Sequence, residues 1–173
     1  HRAHGLQLWL ALPEADEEAE PAFHHYASDD IPRVEVDGVA VRVMMGSAFG
    51  VASPVRTFAE TLYLEATLAA GQSLELPDVA ERAVYVVSGS LNAQDTEIPE
   101  HSMAIFQPGP GIRVTAAEDA RIAVVGGEPL GYRYIEWNFV SSRSERIEQA
   151  KADWQARRFP EIPDDHDEYI PLP

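Results

Sequence analysis

GQSLELPDVAERAVYVVSG, residues 71–89, is closed by a glycine at each end and leads through Pro77 into an apolar run, Ala83–Val87, that continues to Leu91. That run reads as a β-strand. Three positions inside the stretch, Pro77, Val79 and Arg82, bring no metal donor. Proline and valine have no side-chain lone pair, and arginine is a permanent cation that repels a divalent ion.

Strand signals continue on both sides. From Gly5 to Leu12, Leu6, Leu8 and Leu10 alternate with Gln7 and Trp9, and Pro13 ends the pattern. Phe23 to Tyr26 is a short strand candidate. Val34 and Val36 precede Asp37 and Gly38, and Val39, Val41 and Val43 follow them, which predicts a hairpin turning at Asp-Gly. Residues 46–54 read as a loop from their Gly, Ser and Pro content. Further strands are predicted at Thr61–Leu68, Met103–Phe106, Ile112–Thr115 and Ala120–Val125. Many short strands with no helical pattern between them point to an all-β sandwich or barrel rather than a parallel α/β sheet.

One helix is predicted near the end. Ser142 and Glu145 have capping-box spacing, and Ile147, Ala150, Lys151 and Trp154 then share one helical face. Arg157 and Arg158 suit the negative end of the helix dipole, and Pro160 stops the helix. Prolines at 160, 163, 171 and 173 make the tail extended and irregular.

The chain has 173 residues, enough for a self-sufficient core that buries about 70% of the extended surface. There is no cysteine, which removes disulfides, thiolate metal sites and cysteine nucleophiles and fits a reducing, cytoplasmic setting. The 29 acidic and 13 basic residues leave a net charge of −16. Such a surface repels nucleic acid and anionic membranes, so neither is an expected partner. Two acidic runs, residues 14–20 and 161–168, carry much of the excess and read as solvated surface. No apolar run reaches the roughly 18 residues a membrane span needs, and no signal peptide is visible. The opening HRAHGLQLWL, without an initial Met, reads as an abrupt start.

Four stretches carry a family resemblance: HGLQLWLALP (4–13); TLYLEATLAAG (61–71) with ERAVYVVSGSL (81–91); GGEPLG (126–131) leading to IEWNFVSS (135–142); and RSERIEQAKADW (143–154). Together they resemble the carboxyl-terminal half of the pirins, a family built from two cupin barrels in one chain. The resemblance covers nearly the whole sequence. It implies a cupin-type, jelly-roll-like antiparallel β-barrel over residues 14–140. Residues 1–13 would be an inter-domain strand or linker, and residues 141–173 a helix and a Pro-rich acidic tail.

The resemblance also locates the usual metal positions. A cupin metal motif sets a His six residues after its first glycine, a second His two further on, then a Glu before the closing glycine. Counted from Gly71 and back from Gly89, these fall on Pro77, Val79 and Arg82. The second cupin motif places a His after a Pro/Gly-rich turn; here the turn is residues 107–111 and the position is Val114. In pirins the metal, usually iron, is held by three His and one Glu of the first cupin, and no position here matches those ligands. No cofactor is therefore expected in this chain, and iron only in an amino-terminal cupin that would precede it. Members of the family act as quercetin 2,3-dioxygenases or as iron-dependent regulators of transcription.

Other candidate sites are sparse. His24 and His25 are adjacent, so on a strand they point to opposite faces and do not chelate one ion. Glu100 and His101 need a third donor, and His1 and His4 lie at the chain start. His166 sits among Asp164, Asp165, Asp167 and Glu168, where ordering a loop around a cation costs entropy. Gly-x-Ser-x-Gly, P-loop and dinucleotide fingerprints are absent. Tyr63, Glu65, Tyr85 and Phe106, on candidate barrel strands, could line a small interior pocket, although core packing with a satisfied hydroxyl is the favoured reading. Trp9, Trp137 and Trp154 read as core or interface anchors.

The leading expectation is a metal-free cupin that supports a metal-bearing one, with the amino-terminal cupin domain or a second copy as partner. Alternatives are one half of a quercetin 2,3-dioxygenase and a metal-independent binder of a small aromatic molecule. No catalytic or metal-binding residue is assigned to this chain.

Overall fold

The computed structural model describes residues 5–161 and 168–173. The chain divides into two compact units, Pro21–Pro129 and a second made of its first 20 residues with Leu130–Pro173.

The first unit holds twelve strands: β1 Arg33–Val36, β2 Val39–Met45, β3 Ser47–Ala48, β4 Val51–Ala52, β5 Thr61–Leu68, β6 Ser73–Glu75, β7 Glu81–Ser88, β8 Leu91–Ala93, β9 Thr96–Ile98, β10 Met103–Phe106, β11 Arg113–Ala116 and β12 Ala120–Gly127. They form a six-stranded sheet in the order β1-β2-β5-β12-β7-β10 and a four-stranded sheet in the order β6-β11-β8-β9. Every pairing is antiparallel. The hairpin β3-β4 lies within the span expected to be a plain loop, and turns at Phe49 and Gly50, both with positive φ.

Alternation decides which side chains fill the space between the sheets. Along β5, Leu62, Leu64, Ala66 and Leu68 are buried, whereas Tyr63, Glu65 and Thr67 lie on the other face. Val39, Val41 and Val43 of β2 and Ile122 and Val124 of β12 join them in one core, which Leu74, Leu91 and Val114 of the smaller sheet complete. The all-β, jelly-roll-like antiparallel arrangement is therefore present. Among the described residues, no strand pairing joins the two sheets into a closed barrel.

The Asp37-Gly38 hairpin forms as expected, with φ of 50° and 82° and Val36 opposite Val39. Both central residues are left-handed, which matches the twist of the flanking strands. Gly89, closing the 71–89 stretch, has φ 76°, and a Cβ there would collide with the Asp119 carbonyl oxygen.

The second unit contains the hairpin β13 Tyr134–Glu136 and β14 Phe139–Ser141, then α1 Ser144–Gln155. Ile147 and Ala150 bury the predicted helix face against Phe139, with Trp137, Trp154 and Leu172 packed around them. Two helix-end expectations fail. The N-cap is Arg143, without a side-chain cap, because Ser142 Oγ bonds the Glu17 carboxylate instead. A charged acceptor gives the hydroxyl a stronger bond than its own helix end would. The helix also stops five residues before Pro160: Arg157 turns left-handed at φ 53°, and its amide bonds the Trp154 carbonyl.

Two expected strands do not form. Gly5–Leu12 and Phe23–Tyr26 lie outside every sheet. Leu6, Leu8, Trp9 and Leu10 are exposed, and so is Phe23. Alternation alone cannot make a strand without a neighbour to take its backbone hydrogen bonds. No described helix is long and apolar enough to cross a membrane.

Candidate functional site

The positions that a cupin motif reserves for ligands are Pro77, Val79, Arg82 and Val114. Val114 is fully buried in the core, and Val79 packs against that core. Arg82, on β7, alternates inward with Val84 and Val86, and its residue is only 2% exposed. Its Nη1 donates to the Pro77 carbonyl at 2.7 Å. Its Nη2 donates to the carbonyls of Gln107, at 3.3 Å, and Gly109. Asp78 Oδ1 stands 3.6 Å from Nη1.

The guanidinium thus ties the segment before β7 to the Pro/Gly-rich turn after β10. A metal would do similar work by gripping both segments. Arginine does it by donating to carbonyl oxygens, and a guanidinium has no lone pair to offer an ion and repels it by charge. These residues do not fit a bound iron. Among the described residues, no three His, Cys, Asp or Glu side chains group closely enough to hold a metal.

The other sequence candidates are scattered. His24 and His25 are exposed, with the His24 ring 6.5 Å from that of Tyr26. His101 and Glu100 approach to 3.5 Å on the surface. His1, His4, His166, Asp164, Asp165 and Asp167 lie outside the described residues, and Glu168 is exposed.

Of the four pocket candidates, Tyr63, Glu65 and Tyr85 share the outer face of the six-stranded sheet, because Glu65 and Tyr85 both pair across Ala123. Phe106 stands on the opposite face, in the core. The four therefore do not line one interior pocket. Burial and the Glu65 charge push the Tyr63 phenol above its ordinary range. A groove of about 360 Å³ does open on that outer face, over β1, β2 and β5.

The second unit holds a polar cluster that the sequence reading missed. Glu17, from the acidic run whose composition predicts solvated surface, accepts from Ser141 Oγ and Ser142 Oγ at 3.0 Å and from the Ser142 amide at 2.8 Å. Burial raises its carboxyl, but the bonds from Ser141 and Ser142 and the Arg133 charge outweigh this and hold it below the usual range. Glu18 binds Arg146 and Arg143, each at 2.8 Å. A helix start rich in Ser and Arg, facing an acidic run, was the signal available for this cluster.

The tail packs on the same unit. Trp154 Nε1 donates to the Ile170 carbonyl at 2.8 Å, and the Tyr169 ring stacks on Trp154 with centroids 5.8 Å apart. Arg157 lies 4.5 Å over the Tyr169 ring. Ile170 remains exposed, while Leu172 packs on the small core.

Comparisons with known proteins agree with this geometry. A pirin-like protein of Caulobacter vibrioides is 43% identical over 175 residues, covering 99% of this chain and 60% of that protein. Human pirin is 34% identical over 163 residues, covering 88% of this chain and 56% of that protein. A crystal structure of a quercetin 2,3-dioxygenase from Acinetobacter baumannii superposes with a TM-score of 0.84 at 25% identity, covering 95% of this chain and 56% of that one. The chain thus spans a little over half the length of the relatives it matches. Residues 63–160 match the family described as the pirin C-terminal cupin domain, and the chain belongs to that family.

Proposed function

We propose that this chain is the supporting half of a two-cupin protein: a cupin with no metal centre of its own that braces a metal-bearing cupin lying outside it. The carrying observation is Arg82, whose guanidinium takes a ligand position and spends its donors on the carbonyls of residues 77, 107 and 109. The exposed Leu6, Leu8, Trp9 and Leu10 support a contact with that second cupin, since contiguous apolar surface marks interfaces. The cysteine-free composition supports a reducing compartment such as the cytoplasm.

Elemental analysis of the purified chain, beside a version extended at its amino end to the length of the relatives, tests this reading. Metal is expected in the extended form alone. Stoichiometric iron in the short chain overturns it.

A second reading rests on the likeness to the Acinetobacter baumannii quercetin 2,3-dioxygenase. Here the extended protein would open flavonols with oxygen, and this chain would supply no reacting group. Oxygen consumption with quercetin as substrate separates the two. Turnover by the extended protein favours the enzyme, and its absence in a metal-loaded sample favours a regulatory role.

A further inference from the structure

We propose that the outer face of the six-stranded sheet carries a binding site for a small oxyanion, a carboxylate or phosphate group, held between Arg33 and Arg42. The two arginines are direct cross-strand partners on β1 and β2. Like charges placed opposite one another destabilise a pair unless something neutralises them. The protein has 29 acidic residues, yet among the described residues neither guanidinium has a carboxylate within ion-pair reach. Both reach only the Ser28 hydroxyl, at 3.4 and 3.2 Å.

The nearest acid in that row is committed elsewhere. Glu65 is the β5 partner of Arg42, and its Oε1 accepts from Arg121 Nε at 2.7 Å. Arg42 Nε is buried and has no acceptor at all. Beside it opens the groove of about 360 Å³, lined by Arg33, Glu35, Ala40, Arg42, Glu65 and Thr67. Ala40 has too small a side chain to fill it. An oxyanion there would bridge the outer ends of the two guanidinium groups and accept from Ser28, which are the bonds a planar guanidinium makes best. Glu35 lines the same groove and opposes the anion, so it sets an upper bound on affinity and favours a small ligand over an anionic polymer.

The site does not depend on the metal content of either cupin, and its test is separate. The chain is titrated with inorganic phosphate, and in parallel with acetate, at constant ionic strength in chloride, while the arginine Nε–Hε resonances are followed. Saturable shifts confined to Arg33 and Arg42 are expected. Arg42→Gln should weaken binding about tenfold, the loss of one charge-assisted contact. Ala40→Leu, which fills the groove and leaves both charges, should weaken it at least as much. Glu35→Gln should tighten it. Arg113→Gln, on the other sheet and paired with Glu75, should leave it unchanged. Tighter phosphate binding assigns a phosphate-bearing ligand, and tighter acetate binding a carboxylic acid. Shifts that never saturate, or that persist unchanged in both Arg42→Gln and Ala40→Leu, overturn the proposal.

Discussion

Arg133 Nε lies 2.9 Å from Glu17 Oε1, with the two side chains only 7% and 8% exposed. Arg133 is held from its other side by the carbonyls of Leu12, Leu130 and Tyr132. The pair therefore joins the chain's first residues to the start of the β13-β14 hairpin. Removing one member strands the other's charge, which costs about 3–5 kcal/mol for a buried pair. Glu17→Ala should lower the unfolding free energy by that order in urea titrations. Glu18→Ala, an exposed neighbour, should cost less than about 1 kcal/mol.

The same carboxylate gives the protein a definite acid response. Its folded-state pKa lies below the 4.5 of the free group. A depressed carboxylate stabilises the fold above its unfolded pKa, and the contribution disappears as pH falls through the folded value. Stability should thus be level in this respect above about pH 4.5 and decline on further acidification. Glu17→Gln should flatten that part of the profile while lowering the plateau. A Glu17→Gln profile parallel to the parent's would show that other carboxylates dominate.

Arg82 should behave as a fastener. Arg82→Met keeps the stem's packing but leaves the carbonyls of Pro77, Gln107 and Gly109 without their donor. Bonds from a charged donor contribute about 1.5–3 kcal/mol each, so a loss of several kcal/mol is expected. Arg82→Lys, with a point charge in place of a planar fork, should recover only part. Amide exchange should rise first at Leu76, whose amide bonds the Ile112 carbonyl just past the turn that the guanidinium holds. Uniform acceleration across the sheet would instead mean that Arg82 supports the core rather than the turn.

The elements visible in the sequence are those whose cause is local. β5 and β10 fall where period-two alternation put them, at Thr61–Leu68 and Met103–Phe106, and Asp37-Gly38 announces its own turn. The β8-β9 hairpin escapes because its turn uses Gln94 and Asp95 at φ 47° and 62°, without the glycine that normally flags such a bend. Tyr63 and Glu65 do share a face, as the period requires, but the leucines between them mark the core side and turn that face outward. Glu17 is one of five acids in a run of seven, and its partner Ser141 is 124 residues away. No window of sequence contains that contact. Arg82 was legible as a missing ligand, but not as a donor to three carbonyls, because backbone oxygens leave no trace in side-chain spacing.

Gly89 offers the sharpest test of the turn that closes the 71–89 stretch. Its φ of 76° lies in the left-handed region, where a side chain costs about 1–2 kcal/mol. The added methyl would also meet the Asp119 carbonyl oxygen and the Ala120 backbone, neither of which can swing away as a flexible side chain could. Gly89→Ala should therefore destabilise the fold by more than the conformational cost alone. Gly71 shares nearly the same φ, 79°, but has nothing within 4 Å of an added Cβ, so Gly71→Ala should lose the conformational cost and little else. Paired urea unfolding curves measure the difference, which isolates the steric part. Equal losses at the two glycines would mean that the β12 end of the turn yields to the methyl, and that backbone conformation alone explains glycine at position 89.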